Sequence, residues 1–151
     1  MGTSRMRKVI SNTSCLIALT NIGRLELLRS LYGTIAITPE VMGEFGEVLP
    51  DWIFVVPVKD VSTTKLIRGI LDLGESSSIA LALETPGALL ILDDGKARKY
   101  AKSIGLTLTG TLGVVAKAAQ TGLIDDMAGI LADFRKRGFR IPPDIEKELF
   151  K

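Results

Sequence analysis

The stretch ALLILDDGKARKYAKSIG, residues 88–105, contains the clearest transition from a buried strand to a helix in this chain. ALLIL is a short unbroken apolar run, which is typical of a strand covered on both faces. Asp93 and Asp94 follow it directly, and the basic segment after them ends at Gly105, as a helix commonly does. A strand that leads straight into a helix predicts one β–α unit of a parallel sheet.

The same alternation continues on both sides of this stretch. Strands are predicted at RKVIS, TIAI, DWIFVVPV and LTLT, with helical segments between them. Pro57 restricts the third of these strands to a sheet edge or shortens it. Ser14 and Thr38 are predicted helix N-caps, and Gly74 is predicted to break one helix before ESSSIALALE begins another. The pattern as a whole predicts an α/β fold around a parallel sheet.

Length and composition indicate one compact domain and exclude several kinds of chemistry. Of 151 residues, 46% are hydrophobic and 24% charged, and we expect a single domain over residues 6–151, preceded by a tag remnant or disordered lead-in at 1–5. The single cysteine, Cys15, cannot form an internal disulfide, which favours a cytoplasmic location. The absence of histidine excludes Ser–His and Cys–His catalysis and the common zinc sites. No apolar run reaches the roughly 18 residues of a membrane span, so no membrane partner is expected.

Polar side chains follow three of the predicted strands at their carboxyl ends. Ligands of open parallel sheets bind beyond these ends, and we therefore expect the polar groups to share one sheet edge. The groups are Asn12 and Ser14 after the first strand, Asp93 and Asp94 after ALLIL, and Thr109 and Thr111 after LTLT.

Two further carboxylates are placed by helical periodicity to join that edge. Glu75 ends an apolar stripe that includes Ile79, and Glu44 lies next to Phe45 at the border of a buried helix face. A purely structural role remains open for each residue. Glu75 could be a charge favoured by the helix dipole, and Glu44 a partly exposed boundary residue. One member of the Asp93/Asp94 pair is equally consistent with a cap for the helix that follows.

Taken together, these side chains predict a metal site made of oxygen ligands. The candidate ligands are Asn12, Glu75, Asp93 and Asp94, with Glu44 nearby. Oxygen donors without histidine or cysteine suit Mg²⁺ or Mn²⁺ and not zinc. Such a cation activates water for attack on phosphate, so a phosphodiester is the fitting substrate class.

Four blocks of the sequence resemble the PIN domain in their order and spacing. They are VISNTSCLIALTNIGRLELLRSLYGTIAITPEVMGEF, LGESSSIALALE, LLILDDGKARKYAKSIGLTLTGTLGVV and GLIDD, and the similarity covers roughly Lys8 to Phe139. Within that family, the sequence is most similar to a prokaryotic subgroup of poorly characterised VapC-like proteins. The resemblance implies a three-layer α/β/α sandwich, a homodimer, and Mg²⁺- or Mn²⁺-dependent ribonuclease activity. It also implies RNA and an antitoxin protein as partners, since the family includes toxins of toxin–antitoxin pairs.

The resemblance also implies roles for individual residues. The first acid of the family falls on Asn12, the acid of the proline-initiated helix on Glu44, the third on Glu75, and the fourth on Asp93 or Asp94. Asp93 is preferred in that pair because it ends the strand. For substrate binding, the matching residues are Ser14, Thr109 and Thr111.

Asn12 departs from the family pattern, because an amide carries no charge and cannot act as a base. Its oxygen still coordinates a cation, although each lost carboxylate weakens such a site. Three outcomes stay open: slow hydrolysis supported by the other carboxylates, binding of RNA or metal without cleavage, or a scaffold that binds a partner protein. Basic clusters such as Arg135, Lys136, Arg137 and Arg140 are consistent with the non-catalytic alternative.

Overall fold

The computed structural model of the chain describes residues 7–151, and the lead-in expected at residues 1–5 lies outside the described residues. The strands in the described range are Val9–Ser11 (β1), Ile35–Ile37 (β2), Ile53–Val55 (β3), Leu89–Ile91 (β4) and Thr107–Thr109 (β5). They form one sheet in the order β3-β2-β1-β4-β5, in which every neighbouring pair is parallel. The α/β fold with a parallel sheet is therefore confirmed.

Helices connect the strands and continue after the last one. They are Thr13–Asn21 (α1), Glu26–Tyr32 (α2), Pro39–Phe45 (α3), Val61–Arg68 (α4), Leu73–Leu83 (α5), Gly95–Ser103 (α6), Thr111–Gln120 (α7), Met127–Lys136 (α8) and Pro143–Leu149 (α9). Within residues 7–151, none of these helices combines the length and the apolar character that crossing a membrane requires.

Side chains of the central strands alternate between two apolar layers, as the pleat of a strand requires. Ile10 and Leu90 pack with Ile79 of α5 and Ala97 of α6 on one face of the sheet. The opposite face holds a second cluster, in which strand residues pack against α1, α2, α7 and α8. Burial on both faces explains why these strands are continuously apolar, and it produces the predicted three-layer sandwich.

Two boundaries of the helices differ from the predictions. Asn12, not Ser14, is the N-cap of α1, and Ser14 is an exposed residue inside the helix. The break predicted at Gly74 comes earlier, because α4 ends at Arg68 and the Asp72 carboxylate caps α5 by accepting the Glu75 N–H at 2.8 Å. Glycine fits in the first turn of α5 because its missing side chain leaves room for the Glu44 carboxylate.

The other boundary predictions are confirmed. Thr38 caps α3, with its hydroxyl accepting the Val41 N–H at 3.1 Å, and β3 lies at the sheet edge as Pro57 required. The strand order reverses between β1 and β4, which are neighbours paired through Ile10 and Leu90. In sheets of this kind, ligands bind at the carboxyl ends of the strands next to this reversal.

Candidate active site

Asn12 lies at the strand reversal and is almost completely buried. It follows β1 directly, is 4% exposed, and donates its backbone N–H to the Ile91 carbonyl of β4 at 3.0 Å. Its side-chain oxygen Oδ1 lies 3.4 Å from Ser78 Oγ of α5, at the long limit of a hydrogen bond. Although Asn12 occupies the N-cap position, its side chain makes no capping hydrogen bond to α1. The amide is therefore buried without a strong partner among the described residues.

Glu44 reaches this position from α3, the helix that contacts both α1 and α5. The Thr13 hydroxyl in the first turn of α1 donates to Glu44 Oε1. On the other side the carboxylate lies against Gly74, where an added Cβ would come within 2.7 Å of Glu44 Cδ. Glu44 is thus placed between the first turns of two helices, whose N-terminal partial positive charges stabilise an anion.

Glu75 is half-buried in the first turn of α5, and its pKa is raised to about 7. Burial is the main cause, because it removes water from the charged carboxylate. The negative charges of Asp72, Asp94 and Glu44 raise the pKa further, while the hydrogen bond at Asp72 opposes the shift. The charges of Glu44 and Asp94, which lie on other elements, therefore both act on Glu75. We call these three side chains the acidic cluster.

The adjacent residues Asp93 and Asp94 have different partners. Asp94 is the exposed N-cap of α6, and its Oδ2 accepts the Ala97 N–H at 2.9 Å. Asp93 is half-buried and receives two hydrogen bonds from Thr111, from the backbone N–H at 2.7 Å and from the hydroxyl at 2.6 Å. One aspartate therefore caps a helix, as the sequence allowed. It is Asp94, however, whose charge acts on Glu75, whereas Asp93 is tied to the start of α7.

The three residues predicted for substrate binding occupy different environments. Ser14 is exposed on α1, and Thr109 is half-buried at the end of β5 beside Gly113. Thr111 is fully buried, and its hydroxyl donates to Asp93. Of these three residues, Thr111 thus has a defined role in orienting a carboxylate.

Several residues that shape this site were not predicted from the sequence. Ser78 contacts Asn12, Gly74 makes room for Glu44, and Thr13 donates to Glu44. One signal was available for Ser78: it lies three residues after Glu75 in the same helix, which puts the two side chains on neighbouring positions of one face. The roles of Gly74 and Thr13 depend on contacts between separate helices and leave no local signal.

The donor set fits a hard divalent cation, although not as a closed protein cage. Within residues 7–151, no three aspartate, glutamate, cysteine or histidine side chains come close enough to hold a metal ion by themselves. Mg²⁺ commonly binds to one or two carboxylates and keeps several waters, so a cage is not needed. Burial is the main cause of the raised pKa of Glu75, and the nearby negative charges that add to it are what a cation would offset. Glu75 and Asp94, whose charges interact, could share such a cation.

The parallel sheet, its two helical layers and the acidic cluster at the strand reversal define an α/β/α protein with an acidic site at the carboxyl edge. A family model described as "DUF3368: PIN domain" matches residues 8–151. The chain therefore belongs to the PIN-domain family. A comparison with curated proteins finds no match. Membership in the PIN family supports nuclease activity in general, RNA binding and dependence on divalent metal ions.

Proposed function

We propose that this protein is a Mg²⁺- or Mn²⁺-dependent endoribonuclease that hydrolyses RNA phosphodiester bonds. The observation that supports this most directly is the acidic cluster at the strand reversal. The charges of Glu44 on α3 and of Asp94 at the start of α6 act on Glu75 of α5, whose pKa is raised to about 7. Keeping carboxylates together without cationic partners is costly for a fold, and sites of this kind are characteristic of metal-assisted phosphate chemistry.

The residues have distinct roles in this proposal. Glu75 and Asp94 would hold the cation, with Glu44 and the Asn12 amide oxygen as supporting groups, and Asp93 would border the scissile phosphate. A bound cation would offset the charge that develops on the phosphate and lower the pKa of a water nucleophile. The protein contributes position: Thr13 orients Glu44, Thr111 orients Asp93, and the N-termini of α1 and α5 favour an anionic group.

The finer assignments are proposals as well. The similarity to VapC-like proteins supports a toxin of a toxin–antitoxin pair that acts as a cytoplasmic homodimer and is controlled by an antitoxin. The domain proposed for this activity spans residues 6–151. Co-expression with the product of a neighbouring small reading frame, followed by size-exclusion chromatography with light scattering, tests the antitoxin and the dimer together.

The test of the nuclease is cleavage of single-stranded RNA with Mn²⁺ or Mg²⁺, using variants of the site. Glu75→Gln, Asp94→Asn and Asp93→Asn are each expected to lower the rate by about 100-fold or more, since even residues outside the ligand set cost 10- to 100-fold when removed. Glu47→Gln is the matched control, because Glu47 is an exposed glutamate in the loop after α3. Cleavage that survives all three site substitutions would come from a contaminant and would overturn the assignment.

Asn12 supports a second candidate, a scaffold that binds RNA or a partner protein without cleaving. A buried, uncharged amide stands where the family places an acid, and the described residues form no three-carboxylate metal site. The discriminating variant is Asn12→Asp. If the wild type is inactive and this variant cleaves RNA, the scaffold is favoured for the natural sequence.

A further inference from the structure

A cavity of about 740 Å³ opens next to Asp93. Asp93, Thr109 and Gly110 border it, so it is continuous with the candidate active site. Its walls come from β5 and α7 on one side and from the chain around α9 on the other. Its apolar lining includes Leu112, Ala116, Phe139, Ile145 and Leu149.

The charged groups of this cavity leave two arginines without an acidic partner. Arg98 and Arg140 both line it, and among residues 7–151 neither forms an ion pair. Arg98 donates to the Leu92 carbonyl at 2.7 Å. Of the two carboxylates of the lining, Glu148 pairs with Lys151 Nζ at 3.0 Å, whereas Asp93 accepts only from the neutral Thr111 N–H and hydroxyl and keeps its charge. Two guanidinium groups against one unpaired carboxylate leave the cavity with a net positive charge.

We propose that this cavity binds an unstacked base of the RNA strand, next to the phosphate at the acidic cluster, while Arg98 and Arg140 bind the adjoining phosphates. The inference rests on the proposed function, since it places the substrate of that same site. Sequence-specific proteins recognise single-stranded RNA through bases that are splayed out and stacked on aromatic or guanidinium planes. Phe139 provides such a ring, and the volume lies within the range of small-ligand pockets.

The charge distribution favours RNA over a peptide as the occupant. An apolar side chain of a partner protein would fill the floor of the cavity but bring no anion to its net positive charge. A nucleotide matches both the apolar floor and the positive charge of the cavity. The faces of its base are apolar, and its phosphate is an anion to which arginine forms bidentate hydrogen bonds. The continuity with Asp93 places that nucleotide beside the candidate site of cleavage.

Binding is tested separately from cleavage by NMR titration of the full ¹⁵N-labelled chain in EDTA. A metal-dependent nuclease does not cleave under this condition, because EDTA removes the metal ion. The probes are the four nucleoside 5′-monophosphates, ribose 5-phosphate as the probe that lacks a base, and N-acetyl-leucyl-phenylalanine amide as an apolar peptide. We expect at least one nucleotide to shift the backbone amide signals of Ala116, Phe139 and Ile145. Ribose 5-phosphate is expected to bind about tenfold more weakly, because it lacks the base.

Three variants assign the interaction to the cavity. Ala116→Phe fills the apolar floor and should abolish the shifts. Arg140→Gln removes one guanidinium from the rim and should weaken nucleotide binding about tenfold, as expected for a hydrogen bond to a charged group. Arg137→Gln is the matched control, since Arg137 is an exposed arginine that lies outside this cavity. It should leave binding unchanged.

The possible outcomes separate this inference from the proposed function. Equal binding of ribose 5-phosphate and nucleotides, the absence of shifts at the cavity, or shifts caused by the peptide alone would overturn the inference. Equal weakening by Arg140→Gln and Arg137→Gln would do the same. If nucleotides bind at the cavity while Glu75→Gln leaves RNA cleavage intact, the assignment of the acidic cluster fails and the base-binding cavity stands.

Discussion

The hydroxyl oxygen of Ser78 lies 3.4 Å from Asn12 Oδ1 and 2.8 Å from the backbone oxygen of Gly74. A serine hydroxyl has a single proton, and the Gly74 carbonyl is much the closer acceptor. With that proton used, Ser78 can only accept from Asn12. Rotation of the amide by 180° would let Asn12 Nδ2 donate to Ser78 and would put Oδ1 where Nδ2 now lies. In the proposed metal site, Ser78 would then act as a positioning residue that fixes the orientation of the Asn12 amide.

We therefore expect Ser78→Ala to weaken Mn²⁺ binding about tenfold, the lower end of the effect seen when residues behind metal ligands are removed. The reason is that the Asn12 amide loses the partner that fixes its orientation. Mn²⁺ affinity is measured by EPR titration of free Mn²⁺, without reference to RNA cleavage. In an Asn12→Ala background, Ser78→Ala should have no further effect on affinity.

Ser76→Ala is the matched control for this prediction. Ser76 is equally buried in α5, but its hydroxyl donates only to backbone oxygens of Asp72 and Leu71. It should leave Mn²⁺ affinity unchanged. A Ser78→Ala loss that is the same in the presence and absence of Asn12 would mean that the serine supports the helix and not the amide.

Asn12→Asp is expected to tighten Mn²⁺ binding and to lower stability when no divalent ion is present. The added carboxylate supplies a charged ligand next to the acidic cluster, but without a cation it is a buried charge beside like charges. Mn²⁺ titration and thermal unfolding in EDTA measure the two effects. Unchanged affinity together with unchanged melting temperature would show that the side chain at position 12 does not face the cluster.

Local patterns in the sequence were sufficient to predict most of the fold. ALLIL and TIAI are buried strands because both faces of the sheet are covered, and Thr38 with Pro39 marks a helix start by well-defined backbone chemistry. The error at Gly74 has a tertiary cause. Glycine normally indicates a helix end, but here it lies inside the first turn of α5 because Glu44 occupies the space that a Cβ would need.

The candidate site was less accessible to sequence reasoning than the fold. The position of Asp93 and Asp94 after β4 could be predicted from the strand order. Their different hydrogen-bond partners could not, because Asp93 binds Thr111, which is 18 residues away in the sequence. The raised pKa of Glu75 depends on charges from other elements, including Asp94 and Glu44. Such effects arise only when separate helices pack together, and no local pattern encodes them.

The raised pKa of Glu75 predicts that stability in EDTA falls as the pH rises from about 4.5 to about 7. In that interval the folded state holds a proton on Glu75 that the unfolded state has released, so the slope of unfolding free energy with pH is negative. Because Glu75 is only half-buried, we expect a loss on the order of 1 kcal/mol, or a few degrees in melting temperature. Thermal unfolding at pH 5 and pH 8 measures it.

Glu75→Gln isolates this contribution, because glutamine keeps the shape but does not titrate. The variant should match the wild type at pH 5 and be the more stable protein at pH 8 in EDTA. Addition of Mn²⁺ at pH 8 should stabilise the wild type more than the variant. A difference between the two proteins that is constant from pH 5 to pH 8 would contradict the pKa assignment.

Gly74→Ala is expected to lower RNA cleavage without lowering the melting temperature. The added Cβ would come within 2.7 Å of Glu44 Cδ, but this atom is near the end of a flexible and largely exposed side chain that can move away. Alanine also favours a helix over glycine by about 1 kcal/mol, so the melting temperature should stay the same or rise. Displacing Glu44 from the first turns of α1 and α5 should lower RNA cleavage to the level of Glu44→Gln, and the double variant should be no worse than either single one.

Gly69→Ala is the matched control. Its Cβ would meet only the Leu66 carbonyl oxygen at an ordinary 3.5 Å, so this variant should cleave like the wild type. Losses of Gly74→Ala and Glu44→Gln that multiply in the double variant would show that the glycine acts independently of Glu44.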